Sequence, residues 1–285
     1  MLTFFIGSGR FIIPKEFNEG GSMNYVEVVL EWADCVSQNA TSAARLALAV
    51  AGVLLPLTVP RAPAAEAPTY TVLYNFQGQP DGSGPYAGVI ADTAGNLYGA
   101  TSVGGAYGYG EVFKLDPTGY ETVLYSFSGG SDGAYPSASL SRDAAGSLYG
   151  TAEAGGTFNS TCPFGCGVVF QVNPQGKERV LYSFTGGSDG YEPVSNLIRD
   201  AAGNFYGIAP YGGINSSCVR NGFLGCGVVF KLSLAGKETV LYSFTGGSDG
   251  AAPSFGLIRD TAGNLYGTTG VGGANDVGTV YEVMP

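Results

Sequence analysis

The chain has 285 residues, with 47 glycines, 18 tyrosines, 16 phenylalanines and only 13% charged residues. That length allows one large domain or two small ones, and that composition suits short strands joined by tight turns rather than helices or disorder. A net charge of −10 excludes nucleic acid and anionic membrane surfaces as partners, and the absence of histidine removes every Ser-His, Cys-His and His-metal arrangement.

Residues 46–59, LALAVAGVLLPLTV, form an apolar run of signal-peptide length with Arg45 before it and Arg61-Ala62-Pro63-Ala64 after it. Ala62 and Ala64 satisfy the small-residue rule for cleavage before Ala65. The run is short for a membrane span and is interrupted by Pro56, so no span is expected in the mature chain. The acidic residues Glu27, Glu31 and Asp34 are unusual upstream of a signal peptide. Met23 is therefore the expected start, with the codons of Glu19-Gly20-Gly21 able to spell a ribosome-binding site. Residues 1–64 read as an export segment, 65–68 as a linker and 69–285 as a repeat domain. The mature part carries 9 basic and 18 acidic side chains, an acidity that keeps an exported protein soluble.

From residue 69 onward the chain repeats. The tyrosine of an LYxF segment falls at 74, 125, 182 and 242, and the glycine of an AGNLYG turn at 95, 146, 203 and 263. A third segment, GEVFKL in its first copy, starts at 110, 167, 227 and 278. Periods above about 50 residues with four strand-like segments each predict propeller blades. In the third unit the strands are A (195–200), B (205–209), C (227–232) and D (239–244), with an Asn-Gly hairpin between A and B. Simple alternation along D would place Val240, Tyr242 and Phe244 on one face and Leu241 on the other. Residues 69–76 are of D type and 278–283 of C type. The predicted fold is an all-β propeller, four blades of four antiparallel strands, closed by the N-terminal outer strand completing the C-terminal blade. An open arc that pairs with another chain is the alternative.

These segments, AGNLYGTT, GVVFKL and TVLYSFTGGSDG among them, resemble the exported bacterial choice-of-anchor tandem repeat GloVer family over residues 69–285. The resemblance implies an exported repeat protein, with various C-terminal anchors among its members and no catalytic residues to carry over. The sequence ends on YEVMP without a hydrophobic tail or sorting signal, so this reading does not expect surface attachment.

Strand order sorts the loops into two faces. The A–B and C–D turns are short; the D–A loops (77–85, 128–136, 185–193, 245–253) and B–C loops (102–110, 152–166, 210–226, 270–277) are longer and vary between repeats, so they form the expected ligand face. Asp81, Asp132, Asp189 and Asp249 occupy equivalent D–A positions. They either share a hard cation such as Ca²⁺ or each cap their own glycine turn, the second being the expected role. Asp92, Asp143, Asp200 and Asp260 read as hairpin residues. The exposed-aromatic set Tyr107, Tyr109, Phe158, Phe164, Tyr211 and Phe223, with Tyr135 and Tyr191, has the chemistry that accepts the apolar faces of sugars, or else packs beneath its own loops.

Of the five cysteines Cys35 falls in the expected export segment, and the four of the mature part, Cys162, Cys166, Cys218 and Cys226, all fall in two B–C loops. An even count in an exported chain implies disulfides; of three pairings the local one, 162–166 with 218–226, is preferred, and zinc is a poor rival at this spacing. No cofactor is required. The functional expectation is a non-catalytic binding or scaffold module, secreted or periplasmic, for extracellular carbohydrate or protein. The alternatives are a carboxylate- or tyrosine-based hydrolase or lyase, which needs one cleft gathering unique groups such as Glu153, Glu192 and Arg220, and a structural envelope or matrix protein.

Overall fold

The computed structural model describes residues 68–285 apart from 215–217 and 221–222, together with the backbone of two earlier strands. Those strands, β1 (Arg10–Phe17) and β2 (Met23–Val29), pair antiparallel. They belong to a unit, Met1–Thr69, distinct from the repeat unit Tyr70–Pro285. The expected export run 46–59 and its cleavage site before Ala65 lie outside the described residues.

Among its described residues the repeat unit is all strand and turn. The first sheet runs β3 (Ile90–Ala91), β4 (Leu97–Thr101), β5 (Glu111–Leu115), β6 (Glu121–Ser126). The second runs β7 (Ser141–Arg142), β8 (Leu148–Ala152), β9 (Val168–Val172), β10 (Glu178–Ser183). The third is β11 (Ile198–Arg199), β12 (Phe205–Ala209), β15 (Val228–Leu232) and β16 (Glu238–Ser243), its B–C loop holding the small hairpin β13 (Val219–Arg220) and β14 (Phe223–Leu224). The fourth is β17 (Ala251–Arg259), β18 (Leu265–Val271) and β19 (Thr279–Val283). Each sheet is an antiparallel meander in chain order, and together they are four propeller blades.

Each hairpin is pinned by its own polar residues. Asp92 accepts hydrogen bonds from the Asn96 backbone N–H (3.0 Å), Asn96 Nδ2 (2.9 Å) and the Tyr98 hydroxyl (2.9 Å). Asp200 and Asp260 repeat the set with Asn204 and Tyr206, and with Asn264 and Tyr266. Asp143 keeps the Tyr149 hydroxyl and the Ser147 N–H. The recurrent DxxGN-x-Y thus closes a turn with one carboxylate.

The glycine of the LYG strand has a packing reason. Gly207 pairs directly with Phe230 across β12 and β15, and a Cβ on Gly207 would sit 2.6 Å from Phe230 Cζ. The buried ring lies flat over its strand neighbour because nothing projects there. Gly99–Phe113 and Gly150–Phe170 repeat the pair at 2.6 Å.

Blades join through their outer strands. Phe127, just past β6, meets Phe170 of the second blade at 4.9 Å between ring centroids; Phe184 meets Phe230 at 5.2 Å, and Phe244 meets Tyr281 at 5.0 Å. Three buried clusters fill the three junctions. An arginine adds to each: Arg142 lies 5.3 Å from the Tyr98 ring centre, Arg199 5.7 Å from Tyr149 and Arg259 5.5 Å from Tyr206.

Two expectations are corrected. The C–D pairings skip one residue: Val229 pairs with Tyr242 but Phe230 with Val240. Leu241 is therefore a bulge, and Val240 and Tyr242 fall on opposite faces instead of sharing one. Val240 packs toward the second blade, while Leu241 and Phe244 pack toward the fourth. The fourth sheet has three strands, not four: β19 pairs with β18 alone, and residues 70–76 form no strand among the described residues. Phe76 instead stacks on Phe113 at 5.1 Å, the place an outer strand takes on the blade that follows it.

Candidate functional site

The loop face is built from D–A turns that consume their own polar groups. Asp132 accepts the Ser128 N–H (2.7 Å), the Ser128 hydroxyl (2.6 Å), the Tyr125 hydroxyl (2.9 Å) and the Gly130 N–H (3.2 Å). Asp189 takes the same four from Thr185, Tyr182 and Gly187; Asp249 takes three, from Thr245 and Tyr242. Asp81 takes the Tyr74 hydroxyl at 2.6 Å and the Gln77 N–H at 3.0 Å. Burial opposes ionisation of Asp132 and Asp249, but the serine, threonine and tyrosine donors outweigh it and hold both carboxyls below the usual range. The four carboxylates are each engaged in their own turn, and among the described residues no three acidic, cysteine or histidine side chains converge as metal ligands.

After three of the four turns the backbone takes a left-handed step at a non-glycine residue, Tyr135 (φ 58°), Glu192 (φ 55°) and Ala252 (φ 52°), and after the first turn it does so at Gly84 (φ 67°). The N–H groups of Tyr135, Glu192 and Ala252 reach back to the preceding blade, to the carbonyls of Tyr109, Cys166 and Cys226. A proline follows each step, so the turn is fixed on both sides.

The disulfides are local, Cys162–Cys166 and Cys218–Cys226. Each lies against the glycine of the following turn: a Cβ on Gly186 would meet Cys162 Sγ at 2.7 Å, and one on Gly246 would meet Cys218 Sγ at 2.3 Å. In the first blade a Cβ on Gly129 would meet the Tyr109 ring at 2.7 Å. Tyr109 thus takes the place of a disulfide, stacking beside Tyr135 at 5.8 Å. Replacing Cys218 and Cys226 by serine should cost about 2–3 kcal/mol by loop closure and leave the blades folded. Thermal melts and near-ultraviolet circular dichroism check this; loss of the whole fold would show that the staples serve the blades.

The remaining aromatic residues divide. Tyr191 is buried at 1% exposure, stacks near Tyr211 at 5.4 Å, and its hydroxyl donates to the Leu224 carbonyl. Tyr107, Phe158 and Phe164 are exposed, at 63%, 51% and 80%. Phe223 and Arg220 contribute backbone to the loop hairpin, and their side chains lie outside the described residues.

Two carboxylate sites stand out from the repeat. Glu153 accepts a hydrogen bond from the Ser137 hydroxyl, and Glu192 across the blade 2–3 junction is pushed up to about 7 by burial and by Glu153. Glu111 is fully buried with no partner on either oxygen; burial, then Glu121 and Asp81, push it up to about 8. It faces Thr101 across the sheet, whose buried hydroxyl also lacks a partner, where the second and third blades pair Ala152 with Val168 and Ala209 with Val228. Sequence reasoning passed over Glu111, although GEVF against GVVF marks it.

A model of the Gloeobacter/Verrucomicrobia repeat matches residues 62–281. The chain belongs to this repeat family. No curated protein matches the sequence. Among solved structures the chain is similar to one described as a gluconolactonase (16% identity, TM-score 0.38, covering 70% of this chain and 63% of that one). A luciferin-regenerating enzyme gives 14%, 0.40, 70% and 60%. A protein from Bacteroides uniformis described as a 6-phosphogluconolactonase gives 19%, 0.39, 67% and 50%. The chain thus spans 50–63% of the length of these structures. Among the described residues no helix is long and apolar enough to cross a membrane.

Proposed function

We propose that this GloVer-repeat propeller is an exported, non-catalytic binding module that takes extracellular carbohydrate on its D–A and B–C loops. One observation carries the reading: the polar side chains of the D–A turns are spent on their own backbone, while Tyr107, Phe158 and Phe164 project from that face. Exposed rings over a fixed backbone accept the apolar faces of sugar rings at little entropic cost. Two disulfides holding the loops fit an oxidising compartment outside the cytoplasm. A glycan array on the full chain tests the proposal. Binding that falls about tenfold in Phe164→Ala supports it, and an array with no binder overturns it.

A second reading rests on Glu153 and Glu192. They form an asymmetric carboxylate pair in which Glu192 is held near neutrality, as a general acid requires. Turnover of a bound glycan that Glu192→Gln abolishes would establish a hydrolase in place of a binding module.

A further inference from the structure

The two ends of the blade series carry complementary unfinished surfaces. At each formed junction one blade presents the valine of its C strand: Val112, Val169 and Val229 are all fully buried. Their counterpart Val280 in β19 is 82% exposed, and Ile258, counterpart of the half-buried Ile198 and Ile90, is 71% exposed. Val280, Ile258, Tyr266 and Thr268 line one open groove on the face that would meet a following blade. Beside it, the outer edge of β19 has no strand among the described residues.

At the other end, residues 70–76 have the D-strand sequence without a C strand to pair with. Val72 and Leu73 are exposed, and so is Val89 on the first blade. The repeat sets how the two ends would join. In the first and third blades Val112 pairs with Tyr125 and Lys114 with Thr122; Val229 pairs with Tyr242 and Lys231 with Thr239. The same register puts Val280 opposite Tyr74 and Glu282 opposite Thr71. Val280 and Ile258 would be covered if this junction formed within one chain, as Val112 and Val229 are. Among the described residues of one chain, nothing covers them.

We propose that residues 70–76 of a second copy complete the fourth sheet, and that the exchange is mutual. Each contact is head-to-tail; two copies satisfy each other's ends and leave no edge free. Main-chain pairing supplies the strand addition and the valine and isoleucine face supplies the apolar burial. Ala91 stands where Arg142, Arg199 and Arg259 stand in the other blades, so this junction lacks their arginine–tyrosine contact. The dimer is accordingly a dissociable one.

Light scattering on the full chain, diluted from about 50 µM to about 0.5 µM, spans the affinities such an interface gives. A dimer at the upper end that dissociates on dilution is expected; a monomer throughout overturns the proposal. Val280→Glu should be monomeric at every concentration with an unchanged circular dichroism spectrum, since the residue is exposed in the single chain. A Val280→Glu dimer overturns the proposal too. The variant Thr71→Cys/Glu282→Cys identifies the strand donor. Oxidation should give a species of twice the chain mass, whereas a link inside one chain, or none, refutes exchange between copies.

Discussion

The protein should be most stable near pH 4–5 and lose stability steadily as the pH rises to about 8, the reverse of an ordinary acidic protein. The sign follows from its buried glutamates. Glu111 is pushed up to about 8, and Glu178 and Glu238 to about 7, first by burial and then by nearby carboxylates. Glu121 moves the same way. Folded, these groups hold protons that the unfolded chain releases near pH 4.5. Their stabilising share is complete below that pH and is lost as the pH climbs through 7 to 8. The turn aspartates act oppositely: Asp92 is held near 2, first by the Asn96 side chain, and Asp132 and Asp249 are lowered by their donors. Their share is present above about pH 4 and is lost on acidification. The optimum lies between the two windows.

Glu111 dominates the alkaline side because neither oxygen has a partner. Thr101→Ala/Glu111→Val installs the Ala–Val pair of the second and third blades. At pH 9 it should stabilise by at least about 1–3 kcal/mol, the penalty of an unsatisfied buried polar group, and at pH 4.5 by much less. Urea unfolding at the two pH values measures both. A stability that rises from pH 5 to 8, or a double variant that destabilises at pH 9, would mean that Glu111 is partnered.

The second large effect is at the Phe230–Gly207 pair. Phe230→Ala should cost about 3–5 kcal/mol, since the ring is fully buried and bridges the second and third blades through Phe184. Gly207→Ala should cost about 1–3 kcal/mol, because its new methyl would press on a ring that cannot withdraw. In the Phe230→Ala background that methyl meets no ring, so Gly207→Ala should be nearly neutral there. Additive costs in the double variant would show that the glycine serves the backbone and not the ring.

Most of the architecture was legible because the repeat states it four times. Strand B at 205–209 coincides with β12, and strands C and D lie within a residue of β15 and β16. The local disulfides followed from loop confinement. The bulge at Leu241 was not legible: alternation along LYSF reads as a regular strand, and only the pairing register shows the extra residue. Nor does the repeat phase distinguish a closed ring from the proposed exchange, since a D segment at one end and a C segment at the other fit both equally. Exposure within the aromatic set was not legible. Tyr109 and Tyr191 have the same sequence signature as Tyr107, yet the first fills a disulfide's place and the second is buried under its loop.

In the proposed function the two faces divide the labour: the long loops bind and the short turns do not. Titration calorimetry with a glycan that the array returns tests it most directly, comparing Tyr107→Ala on the loop face with Tyr120→Ala on the short-turn face. Both side chains are exposed and neither supports the core, so each variant keeps the wild-type melting temperature. Tyr107→Ala should weaken binding about tenfold, the loss of one ring contact, while Tyr120→Ala should bind as wild type. Weakened binding in Tyr120→Ala with Tyr107→Ala unaffected would put the ligand on the opposite face and contradict it.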